Sequence, residues 1–285
     1  MNEDPLKKLQ SAPTEFSPSN ELEFPVKILD LNNPNTWEQV APGILELENK
    51  AWEYDPPLDL DDLKKLVKGA IVGVIYSEGK IVGNVMTRVE AEPNGNERIV
   101  KRLPLESLKG DGTAVLPDFR GRELQKILLL SRLDLARQLK KETILSYVLS
   151  NNGASLKNII NTGARILAYF PDYFKDNENP ARLVWENDLV IPSMPDEKIE
   201  KKEGKFPDII IEIQSGDKVD IKAKEALAKI LSEDYIGISV QSGGSDGVKA
   251  LSNTRIMFRH LSNFPPDTQT RLRERKKKIQ EIVKI

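Results

Sequence analysis

The chain has 285 residues, 39% of them hydrophobic and 30% charged, which is enough apolar content for one large domain or two ordinary ones and too much for general disorder. A formal net charge of −2 supplies no whole-molecule field to draw in nucleic acid or an anionic membrane. With no cysteine and one histidine, His260, the composition excludes disulfides, thiolate metal sites, a cysteine nucleophile and a histidine metal cluster.

Residues 1–23 are polar, contain Pro5, Pro13 and Pro18, and read as a flexible N-terminal tail. They lack the apolar core of a signal peptide, and no apolar stretch approaches the roughly 20 residues of a bilayer span, so a soluble cytoplasmic protein without membrane contact is expected. A short apolar run at 26–31 predicts a first strand. Ile44, Leu47 and Trp52 predict a helix that starts at Trp37, is capped by Thr36 and is bent by Pro42-Gly43. Asp59 precedes a second short helix with Leu60, Leu63, Leu66 and Val67 on one side. Two β-rich runs, 70–76 and 81–89, flank the turn Ser77-Glu78-Gly79-Lys80 and predict a hairpin. After a break at 92–96 come a strand at 112–116, a loop at 117–121 and a long helix at 122–140. A strand at 144–149, a helix at 155–164 and strands at 166–170 and 183–189 follow. The order β-α-α-β-β-β-α-β-α-β-β predicts an α/β fold, a mixed sheet flanked by helices.

Residues 191–205 carry two prolines, a charge run and a glycine, and read as a linker. Residues 206–285 are expected to form a smaller α/β domain: strands at 209–213 and 235–240, helices at 221–231 and 248–261, and a basic terminal helix at 268–285. The glycine-rich stretch around Gly243, Gly244 and Gly247 lacks a P-loop ending and dinucleotide spacing, so it reads as a connection. The run RLRERKKK, 271–278, has no interleaved aromatic, which disfavours nucleic acid. Ile279, Ile282, Val283 and Ile285 follow at near-helical spacing, so this helix is expected to dock on its own protein or on a second subunit, a route to a homo-oligomer, with a solvated basic face.

Chemistry concentrates in TAVLPDFRGRELQKILLLSRLDLARQ, residues 113–138. A strand that ends in a loop and becomes a helix presents unpaired amides and the positive end of a helix dipole, which suit a pyrophosphate. Arg120 and Arg122 can add charge-assisted hydrogen bonds. Asp111 before the strand and Glu90 at the end of the preceding one can serve as a proton acceptor, directly or through water, while Gly110-Asp111-Gly112 also reads as a plain turn.

Val115, Leu116, Pro117, Arg120 and Gly121, with Asn152, Ser155 and Gly163 downstream, resemble the acyl-CoA-binding segments of the GNAT superfamily of N-acyltransferases. The resemblance spans residues 24–190 and implies a GNAT-like domain there. It implies acetyl-CoA or another acyl-CoA as co-substrate, no metal, and direct transfer to an amine of a small molecule or a protein. It places the pyrophosphate on Arg120, Gly121, Arg122 and the amide of Leu124, the pantetheine on the backbone of Val115 and Leu116, and Asn152 with Ser155 on the thioester side. Four positions depart from the family pattern. Glu123 and Gln125 stand where the phosphate loop carries glycine and a small residue, Ile159 stands where many members place a tyrosine acid, and Ala164 stands where an aromatic usually follows the closing glycine. Tyr169 and Tyr173 are the remaining candidates for that acid. The departures leave a second expectation open, a non-catalytic scaffold or partner-binding module on the same fold.

Overall fold

The computed structural model describes residues 15–16, 24–52, 56–89, 104–150, 152–170, 182–191, 205–213, 221–242 and 254–283. The chain forms two compact units, Met1–Glu90 with Pro104–Glu142, and Ala91–Leu103 with Thr143–Ile285.

In the first unit, five strands stand side by side in chain order: β1 (Glu15–Phe16), β2 (Val26–Leu29), β3 (Ala70–Ser77), β4 (Lys80–Arg88) and β5 (Ser107–Val115). Each neighbouring pair is antiparallel. The β3–β4 hairpin turns as its sequence predicts, with Gly79 at φ +77°. β1 falls inside the expected tail, where Phe16 pairs with Val26.

Helix α1 (Pro34–Trp52) begins with proline at its first position, where a missing N–H costs nothing, and runs unbroken through Pro42. Val40, Ala41, Ile44 and Leu47 are all buried, and that stripe holds the helix together across the hydrogen bond lost at Pro42. Helix α2 (Leu60–Val67) is capped by Asp59, whose carboxylate accepts from the amide of Asp62 at 2.8 Å. Helix α3 (Leu124–Gln138) packs on β4 and β5. α1 and α3 lie on opposite faces of β4. A Cβ on Gly83 would meet Leu128 of α3 at 3.1 Å, whereas the next residue, Asn84, bonds to Glu48 of α1.

In the second unit the strand order is β6 (Thr143–Leu149), β8 (Arg182–Asp188), β7 (Arg165–Phe170), β10 (Tyr235–Ser242), β11 (Thr254–His260), β9 (Ile209–Ile213). All these pairings are antiparallel. The helices are α4 (Gly153–Asn161), α5 (Ile221–Ser232) and α6 (Pro266–Val283).

A separate small domain at 206–285 is not evident. β10 pairs with β7 at Gly237 and Ile166, and one apolar cluster combines Leu145, Leu167 and Val184 with Ile236, Leu272 and Ile279. Ile191, at the start of the expected linker, is buried in that cluster. The close approach at the join needs glycine, since a Cβ on Gly237 would come within 2.9 Å of Ile166.

The helix expected at 248–261 is also corrected. Residues 254–260 form β11, bonded to β10 on one side and β9 on the other. Thr254, Ile256 and Phe258 are buried, the two-residue period of a strand, while the glycine-rich stretch before them lies outside the described residues.

α6 docks on its own unit, and its basic run is less solvated than expected. Arg275 and Lys276 are 4% exposed, Arg271 bonds Asp188 at 2.7 Å, and Arg275 bonds Glu186 and Thr143. The described chain is α/β, and none of its helices is long and apolar enough to cross a membrane.

Candidate functional site

β5 ends at Val115, Leu116 leads into a 3₁₀ turn at Pro117–Phe119, and α3 starts at Leu124. The four residues between, 120–123, are held by an unusual backbone: Gly121 has φ +80° and Glu123 has φ +57°. The left-handed region is open to glycine and costs other residues on the order of 1–2 kcal/mol. Position 123, where the resemblance expects glycine, therefore keeps the conformation that glycine supplies.

The Glu123 side chain does not cap α3. It is 73% exposed and, among the described residues, pairs with Lys126 at 3.5 Å. The first-turn amides are thus not covered by the one carboxylate placed to cover them. Arg122 stacks on Phe119, its guanidinium carbon 4.9 Å from the ring centroid. Arg120 spends one donor on the carbonyl of Ala51 in the last turn of α1, at 3.2 Å. Both guanidinium groups stay beside the loop.

Val115 and Leu116 differ in what their backbone offers. The Leu116 amide donates to Val82 O at 3.0 Å and its carbonyl accepts from Phe119 at 2.9 Å, so that amide is engaged within the unit. Val115 pairs with Gly83, and by alternation its own N–H and C=O point away from β4.

Asp111 lies inside β5 rather than before it. The register shifts between Met86 and Thr87, which face Gly112 and Gly110, so Asp111 is the extra residue of a bulge. Its carboxylate is gripped by Arg88 and Lys109. Arg88 also bonds the carbonyls of Lys68 and Leu66. From α3, the buried Arg132 bonds Met86 O at 3.0 Å, Gly112 O at 2.8 Å and the Thr87 hydroxyl at 3.2 Å. Burial lowers the Arg132 pKa to about 10, with Asp111 acting in the opposite sense.

Asn152 caps α4, its Oδ1 accepting from the Ser155 amide at 3.0 Å. The Asn-x-x-Ser spacing is therefore a helix start, and Gly163 closes that helix at φ +87°. Ile159 is 4% exposed in the same helix and offers no acid. Tyr169 is half-buried in β7, opposite Leu183. Glu90 and Tyr173 lie outside the described residues. The candidates divide between the units: Asp111, Val115, Leu116, Arg120, Gly121, Arg122 and Leu124 belong to the first, and Asn152, Ser155 and Tyr169 to the second. No group of His, Asp and Glu that could hold a metal occurs among the described residues.

Sequence reasoning missed Glu48. It is 3% exposed on α1 and accepts from Asn84 Nδ2 at 2.7 Å; burial raises its pKa, while hydrogen bonds from Asn84 and Trp52 act the other way. Asn84 is fully buried, and its Oδ1 accepts from the Ala114 amide at 3.3 Å. The signal was present in the sequence as an acid at 48, in the apolar stripe Val40, Ile44, Leu47.

The chain matches no family model and no curated protein. Among solved structures it is similar to the ribosomal-protein-S18-alanine N-acetyltransferase of Escherichia coli, with 15% identity over 61% of this chain and 99% of that one, at a TM-score of 0.44. A GCN5-related N-acetyltransferase from Kribbella flavida aligns over 57% and 98% of the two chains with 17% identity and a TM-score of 0.42. A Bacillus subtilis acetyltransferase in complex with CoA aligns over 50% and 91%, with 16% identity and a TM-score of 0.40.

Proposed function

We propose that the chain is an acyl-CoA-dependent N-acyltransferase, acting on an amine by direct transfer and using acetyl-CoA as the resemblance implies. One observation carries the reading. The loop before α3 holds a left-handed backbone at both Gly121 and Glu123, and the Glu123 carboxylate stands off the first-turn amides. A diphosphate would take those amides, with Arg120 and Arg122 beside it. Val115 supplies the backbone facing away from β4 for an extended pantetheine arm. Asp111, gripped by two cations, serves as the anchor of the bulge.

A second reading, a non-catalytic module on this fold, is favoured by the buried Ile159 where a tyrosine acid would stand. Thermal unfolding with acetyl-CoA separates the two. Ligand at about 100 times its dissociation constant should add roughly 2.7 kcal/mol of stability. Absence of any shift at millimolar acetyl-CoA retires the enzyme and leaves the module.

A further inference from the structure

β9 ends the strand row of the second unit, and among the described residues only β11 pairs with it. Every second residue of an antiparallel strand turns its N–H and C=O away from its partner, so β9 carries donors and acceptors along its outer edge. Edge strands are commonly guarded by a lysine, a proline or a bulge. β9 has none of these. Its sequence is Ile-Ile-Ile-Glu-Ile, and its register with β11 runs through all five residues without a shift. Its single charge, Glu212, accepts from Arg255 on β11 at 2.8 Å and is neutralised in place. A regular, isoleucine-rich edge of this kind is a template for one more strand.

The edge is also pinned. Just before the strand, buried Asp208 accepts a two-pronged bond from buried Arg259 at 3.0 and 2.7 Å. Asn263 holds the carbonyl of Phe206 at 2.8 Å. A strand fixed at both ends gives up little further freedom on pairing. Its two faces differ. α5 packs on β9, and Ile211 and Ile213 are buried, whereas Ile210 on the other face is 51% exposed beside Glu212.

We infer that β9 is the contact strand of a homodimer, in which two copies pair edge to edge, antiparallel, about a two-fold axis through Ile211. Such an axis keeps each face of the sheet continuous, so Ile210 and Glu212 must lie opposite residues of the same face in the second copy. That condition, with charge, selects the register. Centred on Glu212, two carboxylates oppose each other. Centred on Ile210, Glu212 opposes Asp208, again two carboxylates. Centred on Ile209, Pro207 opposes Ile211 and removes a donor. Centred on Ile211, all five residues overlap and no like charges meet: Ile211 opposes itself, Ile209 opposes Ile213, and Ile210 opposes Glu212. Along the outer face the row then reads Arg255 and Glu212 of one copy, Ile210 and Met257 of the other. The carboxylate keeps its own arginine, and its methylenes cover the isoleucine that a single copy leaves exposed. The strand's self-complementarity is what favours a second copy over an unlike partner.

The test uses the full chain and reads its mass in solution by sedimentation across a concentration series. The parent should reach twice the chain mass. Ile210→Glu sets a carboxylate against Glu212 twice per dimer and should weaken self-association about tenfold or more, whereas Ile210→Lys sets an ammonium there and should keep the dimer. Both changes fall on an exposed side chain, and their thermal melts should show a cooperative transition like that of the parent. Cross-linking reads the register independently, since the chain has no cysteine of its own. Directly opposed residues lie about 4.5–5.5 Å apart at Cα, within the span of a disulfide. Under mild oxidation the double variant Ile210→Cys with Glu212→Cys should link two chains, and Ile210→Cys alone should not. Any of four results overturns the inference: a parent at single-chain mass up to submillimolar concentration, a dimer indifferent to Ile210→Glu, a dimer weakened equally by Ile210→Glu and Ile210→Lys, or efficient linking by Ile210→Cys alone. Slow exchange of every amide of β9 in a single-chain species would likewise show that the chain's own residues occupy the edge, and would overturn it.

Discussion

At position 123 a side chain and a backbone give opposite signals, and the backbone decides. The carboxylate is a departure visible in the sequence, and it disfavours an anion at the start of a helix. Its left-handed φ of +57° is visible only in the structure, and it preserves the loop that a glycine would form. Two substitutions separate these effects. Glu123→Ala removes the charge and keeps the backbone cost; removing a like charge of the order found at helix ends is worth about 0.3–1 kcal/mol. That corresponds to a roughly two- to fivefold tighter dissociation constant for acetyl-CoA, read by calorimetry. Glu123→Gly should tighten further and raise the melting temperature, since glycine relieves the left-handed strain. If neither variant changes the affinity, the diphosphate does not lie on α3. Glu48 and Arg132 teach the complementary lesson. Both are charges set into apolar stripes, and the sequence shows them as interruptions without showing that they are buried. Period alone does not distinguish a polar residue that turns outward from one held inside by Asn84 or by the carbonyls of a bulge.

At the scale of elements, local signals were legible and pairing was not. The hairpin at β3 and β4, the loop into α3 and the cap at Asn152 all follow from turn and cap residues within a few positions. β11 was misread as a helix because its partners, β10 and β9, lie outside any local window. α6 shows the same limit for charge. Its basic run looks solvated, yet Arg271 and Arg275, one turn apart, pair with Asp188 and Glu186 on β8. Glu186 is 2% exposed, and burial raises its pKa against the opposing hydrogen bond from Arg275. Arg275→Met should therefore cost about 3–5 kcal/mol, because it leaves a buried charge uncompensated. Adding Glu186→Leu should recover most of that loss and can exceed the parent. Denaturant unfolding of the two single variants and the double completes the cycle; additive costs would mean that the pair is not coupled.

At the scale of the whole molecule, the sequence places its seam at 191–205, where proline, charge and glycine gather, and the compact units meet in sequence at 142–143 instead. Linker composition reports where a chain crosses solvent, which is a local property. A domain boundary depends on which apolar faces close on each other. Here Ile236, Ile238, Leu261, Phe264, Leu272, Ile279 and Ile282 close on Leu145, Leu167, Ala168 and Val184, so the segment after 205 completes the core begun at Thr143. A chain ended at residue 191 tests this. Each of those lost aliphatic or aromatic side chains contributes about 1.5–3 kcal/mol by burial. Seven of them together exceed the 5–15 kcal/mol that holds a typical domain folded at all but its upper end. The shortened chain should therefore be insoluble or lack a cooperative melt, and strands 143–149 and 182–188 should show no slow amide exchange. A shortened chain that melts cooperatively, with those strands protected, would restore the seam to the linker and return 206–285 to the status of a separable domain.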